Sequence, residues 1–308
     1  MFSKKLLIPL LSLSLLVTPA YSSHAAENAE AAGTSVEGQG MLSPSSSSES
    51  SESVFNGSGA GTSSEPVTDE KLETILKQVQ SQLPAENGTW AVFISDLVNG
   101  TEGSLNDQKI QAASLIKLYI MGAVYENYDQ ITGQYGSDSV DSNLYSMITV
   151  SDNDAANTLT TYLGGGDSTA GMQAVNSFCQ AHGYDQTHMG RMLLASNEND
   201  DNYTSVGDCG HLLQEIYKQD TSGYTHAADM FNLLKAQTRC NKIPAQLPEG
   251  VKTANKTGEL DNVENDAGII YDSKNDVVIV FMSQNLSSAG SAQNTIATLS
   301  RTIYDYYN

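Results

Sequence analysis

Segments that resemble β-strands lie near both ends of the chain, and helix-like segments fill the stretch between them. Residues 89–107 form an apolar, β-branched and aromatic run with an Asn-Gly pair in its middle, which is typical of a β-hairpin. Residues 262–285 contain two more strand-like runs that turn at 273–276, whereas residues from about 140 to 240 show mainly helical spacing. The sequence predicts a mixed α/β (α+β) fold. Its antiparallel sheet comes from both chain ends, is flanked by helices and carries an inserted all-helical domain.

The first 66 residues differ from the rest of the chain. Residues 1–26 combine the basic start MFSKK, a short apolar stretch and small residues, a pattern typical of a secretory signal peptide. A retained N-terminal anchor is the alternative. Residues 27–66 are rich in Ser, Gly and Glu, so we expect a disordered linker. We therefore expect an exported protein, secreted or associated with the cell envelope. Its folded domain would cover residues 67–308, with a helical subdomain at about 120–240.

Charge and cysteine content narrow the range of partners. The 308 residues include 15 Lys and Arg and 36 Asp and Glu, for a net charge of −21, which would repel nucleic acid and anionic membranes. Three cysteines leave at least one thiol free, and their wide spacing matches no metal site. Cys179 and Cys209 lie in apolar helical segments and are expected in the core, although a disulfide among Cys179, Cys209 and Cys240 stays open. We expect a monomer without metal or cofactor.

The segment AASLIKLY, residues 112–119, places a lysine inside an apolar helix. Burying an ammonium group without a partner costs free energy, so Lys117 needs an explanation. Ser114 lies three residues earlier and therefore on the same helix face. A buried lysine with a lowered pKa can take the serine proton and so create a nucleophile. The alternative is an ordinary lysine that extends its ammonium group to water.

Two other motifs follow in the chain. Ser151-Asp152-Asn153 comes after a helical stretch, and alone it also suits an N-cap or a turn. Lys256-Thr257-Gly258 comes just before the last strands, where an exposed edge-strand lysine is the alternative. The ordered set S-x-x-K, S-D-N and K-T-G is more specific than any one member. It is the signature of penicillin-interacting serine enzymes.

The sequence around these motifs, over roughly residues 70–308, resembles the class A β-lactamase-like family of penicillin-interacting serine hydrolases. The resemblance implies that Ser114 attacks a β-lactam or acyl-D-Ala-D-Ala carbonyl with Lys117 as proton acceptor. It further implies that Ser151 passes a proton to the leaving nitrogen, while Lys256 orients Ser151 and attracts the substrate carboxylate. The substrate-binding residues it implies are Asn153 for the acyl amide, Thr257 for the carboxylate, and Gly258 and Glu259 after the strand lysine, with the backbone N–H groups of Ser114 and Glu259 as the oxyanion hole.

The chain departs from the family pattern at the residue that would release the acyl group. Class A enzymes carry a glutamate there, which activates the deacylating water. Aligning the loop on Arg191 and Asn197 places Leu193 at that position, and leucine cannot act as a base. The nearby acids that could substitute, if the loop folds differently, are Glu198, Asp200 and Asp201.

Two further departures concern the cleft. Ser114 and Ser151 are 37 positions apart, closer than in typical class A enzymes, so a more open cleft is expected. Glu259 stands where a small residue is usual, on the same strand face as Thr257. Its carboxylate is expected either to weaken binding of an anionic substrate or to pair with Lys256 or face solvent.

Three functions remain open from the sequence. The first is a β-lactam hydrolase, slow because of Leu193. The second is a penicillin-binding protein, or a D-Ala-D-Ala carboxypeptidase or transpeptidase that acts on cell-wall peptides. The third is a non-catalytic binding or sensor domain, against which the intact serine and lysine motifs argue. Fold alone does not decide among them.

Overall fold

The computed structural model describes residues 69–308. The signal peptide predicted at 1–26 and the linker predicted at 27–66 lie outside the described residues. Within residues 69–308, no helix is long and apolar enough to cross a membrane.

Five strands form one antiparallel sheet, and two short strands form a separate pair. In chain order the strands are β1 (Thr89–Asp96), β2 (Thr101–Leu105), β3 (Ile110–Gln111), β4 (Tyr203–Thr204), β5 (Lys252–Leu260), β6 (Val263–Tyr271) and β7 (Val277–Gln284). The large sheet has the order β2-β1-β7-β6-β5, so β1 from the first part of the chain pairs with β7 from the last part. The predicted sheet from both chain ends is therefore confirmed, as are the turns that join β1 to β2 and β6 to β7.

Nine α-helices occur in residues 69–308. They are α1 (Glu70–Gln82), α2 (Ile116–Glu126), α3 (Tyr128–Tyr135), α4 (Ser137–Thr149), α5 (Asn153–Leu163), α6 (Ser168–Ala181), α7 (Val206–Tyr217), α8 (Ala227–Lys235) and α9 (Ala289–Tyr307). Helices α2 to α8 occupy the middle of the chain, where the helical pattern predicts them. The division into a separate helical subdomain at about 120–240 stays a prediction.

Apolar residues pack on both faces of the sheet. Helices α1 and α9 bury their apolar faces against one side, where Ile75 and Ile296 lie in one cluster with Ile279 of β7. The opposite face, with Phe93 and Val280, joins the larger core formed with the central helices. The sheet is therefore packed against helices on both faces, as the α+β prediction requires.

The cysteines are all free thiols. Cys179 and Cys209 are buried in the helical core, as predicted, and Cys240 is exposed.

The small β3–β4 pair is a feature that the sequence analysis missed. Ile110 of β3 pairs with Thr204 of β4, and the Ala112 amide donates to the Asn202 carbonyl oxygen just beyond the pair. These contacts bring the loop before β4 next to the segment that carries Ser114. The loop that carries Leu193 and the three nearby acids is therefore anchored next to the segment that carries Ser114.

Candidate active site

Ser114 lies in a short 3₁₀ turn, Ala113–Leu115, that leads directly into α2. Ala113 has a φ of 47°, a left-handed conformation that is strained for a residue other than glycine. Strand β5 passes very close to this turn. A Cβ atom at Gly258 would lie 2.9 Å from the Ala112 carbonyl oxygen and 3.2 Å from the Ser114 nitrogen. Glycine at position 258 therefore allows the K-T-G strand to contact the backbone of the serine turn.

Lys117 is fully buried, and its ammonium group has several close partners. Its Nζ atom lies 3.2 Å from Ser114 Oγ and 3.2 Å from Ser151 Oγ. The same Nζ donates to the Ser151 carbonyl oxygen at 2.6 Å and to Asn153 Oδ1 at 2.7 Å. The alternative of a lysine that reaches water is therefore wrong. The polar partners offset the cost of burying the amine and aim it at the Ser114 hydroxyl.

Burial lowers the pKa of Lys117 to about 7. The charge of Asp152 raises this pKa, and the charge of Arg239 lowers it further. At neutral pH a substantial fraction of the amine is therefore uncharged and able to accept a proton. A neutral amine within hydrogen-bond distance of a serine hydroxyl has the geometry of a nucleophile and its base.

Ser151 stands between the two motif lysines. Lys256 Nζ donates to Ser151 Oγ at 2.9 Å and to the Thr257 carbonyl oxygen at 2.7 Å. Ser151 has a φ of 63°, so strain accompanies its position as it does at Ala113. Asp152 caps α5 by accepting the Ala155 amide at 2.9 Å. The N-cap interpretation of this motif is therefore correct at Asp152, while the neighbouring side chains turn toward Lys117.

Lys256 lies on the edge strand β5 but is fully buried. The exposed edge-strand alternative is therefore wrong, because the strand is covered by the serine turn and by Ser151. Burial, followed by the charges of Lys117 and Arg239, holds the pKa of Lys256 well below its usual range. Two lysines with lowered pKa values thus share one serine hydroxyl.

A cleft of about 340 Å³ opens in front of Ser114. Asn153, Leu193 and Glu259 also line it. Thr257 is buried in the strand between Lys256 and Glu259. The structure therefore brings together the residues that the three sequence motifs single out.

Leu193 is held at the cleft by its backbone. The Asn157 side chain accepts from the Leu193 amide at 2.8 Å and donates to its carbonyl oxygen at 3.0 Å. The Leu193 side chain is 8% exposed, so an apolar group occupies this part of the cleft wall. No carboxylate from the loop takes its place in the cleft lining of the described residues.

The three loop acids, Glu198, Asp200 and Asp201, do not line the cleft. Asp201 is buried and pairs with Arg191 at 2.6 Å and with Gln111 at 2.9 Å. Asp200 contacts His188 Nε2 at 2.7 Å. Glu198 is exposed and does not line the cleft. In this conformation none of the three carboxylates faces Ser114.

Glu259 pairs with residues that the sequence analysis missed. Its carboxylate contacts Arg239 Nη1 at 2.9 Å and Lys242 Nζ at 3.1 Å. Glu259 therefore does not form the expected ion pair with Lys256, and its side chain, 31% exposed, is only partly open to solvent. Lys242 is fully buried and also contacts Glu264 at 2.6 Å. Arg239 and Lys242 belong to no recognised motif. The small number of Lys and Arg residues in this acidic chain was the only sequence signal that could have pointed to these two cations.

No group of three or more His, Cys, Asp or Glu side chains in residues 69–308 could hold a metal ion. The groups that contact Lys117 and Ser151 include hydroxyls, a second amine and an amide, which suits acyl transfer through a serine.

Comparison with known proteins identifies the family and the fold of this chain. A model of the "Beta-lactamase enzyme family" matches residues 71–138 and 134–307. A comparison with curated proteins gives no match. The solved structure of PBP-A is 22% identical, with 76% of this chain and 96% of that chain covered and a TM-score of 0.66.

Two more solved structures show the same fold. A beta-lactamase from Sphaerobacter thermophilus is 22% identical, with 75% of this chain and 95% of that chain covered and a TM-score of 0.64. A leucine-to-glutamate variant of PBP-A, described as an acyl-enzyme complex with penicillin G, is 22% identical, with 76% and 96% covered and a TM-score of 0.66. Since the family match extends from residue 71 to residue 307, this protein belongs to the beta-lactamase enzyme family and has the fold of class A beta-lactamases and related penicillin-binding proteins.

Proposed function

We propose that the protein is a serine hydrolase that forms an acyl-enzyme at Ser114 with β-lactams and hydrolyses it slowly. The observation that carries the proposal is the position of Lys117 Nζ, 3.2 Å from both Ser114 Oγ and Ser151 Oγ. Its pKa of about 7 supports a role as proton acceptor at neutral pH.

In the proposed acylation, Ser114 Oγ attacks the lactam carbonyl carbon and its proton moves to neutral Lys117. The backbone N–H groups of Ser114 and Glu259 stabilise the oxyanion of the tetrahedral intermediate. When the C–N bond breaks, Ser151 gives its proton to the leaving nitrogen and takes one back from a lysine. Lys256, which donates to Ser151 Oγ, orients this hydroxyl, and Asn153 serves both as a partner of Lys117 and as a contact for the acyl amide.

Slow release follows from the apolar group at the cleft wall. Deacylation needs a base within hydrogen-bond distance of a water molecule beside the ester carbonyl. Leu193 offers none, and the carboxylates of Asp200 and Asp201 are engaged by His188 and Arg191. The same observation favours a second candidate, a penicillin-binding protein or D-Ala-D-Ala carboxypeptidase or transpeptidase whose acyl group passes to a cell-wall peptide.

The test is intact mass spectrometry of the purified protein with penicillin G, with free drug followed in parallel. The acyl-enzyme complex described for the PBP-A variant supports this choice of probe. A Ser114-dependent adduct that accumulates and then decays while free drug is consumed supports slow hydrolysis. An adduct that persists for hours without drug turnover supports the second candidate. If neither an adduct nor drug loss differs from Ser114→Ala, both are refuted and a non-catalytic binding domain is favoured.

We propose in addition that residues 1–26 direct export, that 27–66 are a linker and that 67–308 are the catalytic domain. The basic start and short apolar stretch support this division. N-terminal sequencing of the mature protein tests it, since cleavage near residue 26 is expected and an intact N-terminus would refute it.

A further inference from the structure

A carboxylate of the protein itself lies between two cations at the wall of the cleft. Glu259 contacts Arg239 through one oxygen and Lys242 through the other, at 2.9 and 3.1 Å. The chain has only 15 Lys and Arg in 308 residues, yet two of these cations contact the same carboxylate. Glu259 also lines the cleft that contains Ser114. This carboxylate is therefore both ion-paired and part of the wall of the cleft that contains Ser114.

The charges around Glu259 are balanced without a ligand. Glu259 and Glu264 are direct cross-strand partners on β5 and β6, a pairing that alone would be repulsive. Lys242 contacts both carboxylates, and Arg239 contacts Glu259. Both cations are therefore already paired with carboxylates of the protein, and neither Arg239 nor Lys242 is left unpaired to receive an incoming anion.

Arg239 also acts electrically on the catalytic lysines. Its charge lowers the pKa values of both Lys117 and Lys256. Lys242 and Arg239 outweigh the effect of burial and hold the pKa of Glu259 below its usual range. Glu259 is therefore ionised at neutral pH, beside the strand residues Lys256 and Thr257.

We propose that Glu259 is a specificity-determining residue that occupies Arg239 and Lys242 in place of a substrate carboxylate. An acyl donor with a free carboxylate beside the scissile bond must approach this anion while Arg239 and Lys242 are already paired. Lys256 is buried and its ammonium group donates to Ser151 and Thr257. A donor in which the same group is an amide or ester needs no such cation. The substrate class selected is therefore a neutral acyl donor, and anionic penicillins react below the rate that the catalytic groups allow.

The proposal rests on the proposed acylation of Ser114, and a ratio of rates tests it. Penicillin G and its carboxyl amide are compared by the second-order rate of adduct formation. Glu259→Gln keeps the side-chain shape and removes the charge. It should increase the ratio of the rate with the carboxylate form to the rate with the amide about tenfold, a limited change because a partly exposed charge is screened. Glu249→Gln, an exposed acid away from the cleft lining, is the control for net charge.

A binding experiment separates this proposal from the acylation chemistry. The dissociation constant for penicillin G is measured by calorimetry on Ser114→Ala and on Ser114→Ala with Glu259→Gln, with Glu259→Ala as a second variant. Binding about tenfold tighter without the Glu259 carboxylate, and not with the amide, supports the proposal even if no adduct ever forms. Equal affinity, or no measurable binding by either protein, overturns it, as does an unchanged ratio of rates. If the parent protein forms no adduct but Ser114→Ala binds penicillin G more tightly once the Glu259 carboxylate is removed, only the proposed function is refuted.

Discussion

The pKa of Lys117 gives the proposed acylation of Ser114 a defined pH dependence. Only the neutral amine can take the Ser114 proton, and its pKa is lowered from 10.5 to about 7 by burial. The rate should therefore rise through about pH 7 and level off above pH 8. The neutral fraction grows from about one tenth at pH 6 to about nine tenths at pH 8, which makes the expected change about tenfold.

Asp152 provides the perturbation that tests this reasoning. Its charge raises the pKa of Lys117, so Asp152→Asn should lower that pKa further and shift the rate profile to lower pH. At pH 6 the variant should acylate about three to ten times faster than the parent protein. Asparagine caps a helix as well as aspartate, so the cap on the Ala155 amide is kept and α5 should stay intact.

The assay is the rate of adduct formation with penicillin G, measured by quenched flow and intact mass between pH 5.5 and 9. A profile that is flat between pH 6 and 8, or a midpoint near 10, would show that Lys117 is not the proton acceptor. A shift to higher pH in Asp152→Asn would contradict the electrostatic argument.

The pH dependence of stability is a second readout of the Lys117 pKa. The unfolded chain keeps the lysine protonated up to about pH 10.4, whereas the folded protein releases this proton near pH 7. Because the unfolded state binds more protons over this interval, the free energy of unfolding should rise between about pH 7 and 10.

Other changes have expected outcomes of their own. Leu193→Glu places a carboxylate at the cleft wall and should shorten the life of the penicillin adduct at least tenfold by intact mass, and an unchanged lifetime would show that the loop alignment is wrong. Gly171→Ala would overlap the Thr160 carbonyl oxygen and should cost about 1–3 kcal/mol in urea unfolding. Lys242→Met leaves Glu264 buried without its ion pair and should cost about 3–5 kcal/mol; a loss below 1 kcal/mol would contradict this.

The fold was predictable where the pattern is local. The hairpin of β1 and β2 follows from strand-like spacing around an Asn-Gly pair, and α1 follows from apolar residues at helical spacing such as Ile75 and Val79. The three motifs also identified a set of side chains that the structure brings together around Lys117. These features can be recognised from the sequence alone, because each depends on residues that are close in sequence or on a set of motifs in fixed order.

The missed features depend on long-range contacts. The strands β3 and β4 have two residues each and lie over 90 positions apart, so no periodicity reveals their pairing. The partners of Glu259 lie 17 and 20 positions before it, on a segment held against the end of α4 by the bond from the Thr238 amide to the Thr149 carbonyl oxygen. Strand alternation says which face Glu259 occupies, but only the tertiary structure says which cations meet it.

The two motif lysines raise the question of which one accepts the Ser114 proton. Both have lowered pKa values and both lie within 3.2 Å of Ser151 Oγ, but in the described residues only Lys117 also contacts Ser114 Oγ. Two amines on one hydroxyl repel when both are charged, so the pair releases its first proton easily and titrates as a unit. When Lys256 carries the proton, its charge favours neutral Lys117 as the base, and in the proposed acylation its ammonium group orients the Ser151 hydroxyl for the leaving nitrogen. Lys256→Met should therefore raise the pH midpoint of acylation and slow the step, whereas Lys117→Met should abolish it.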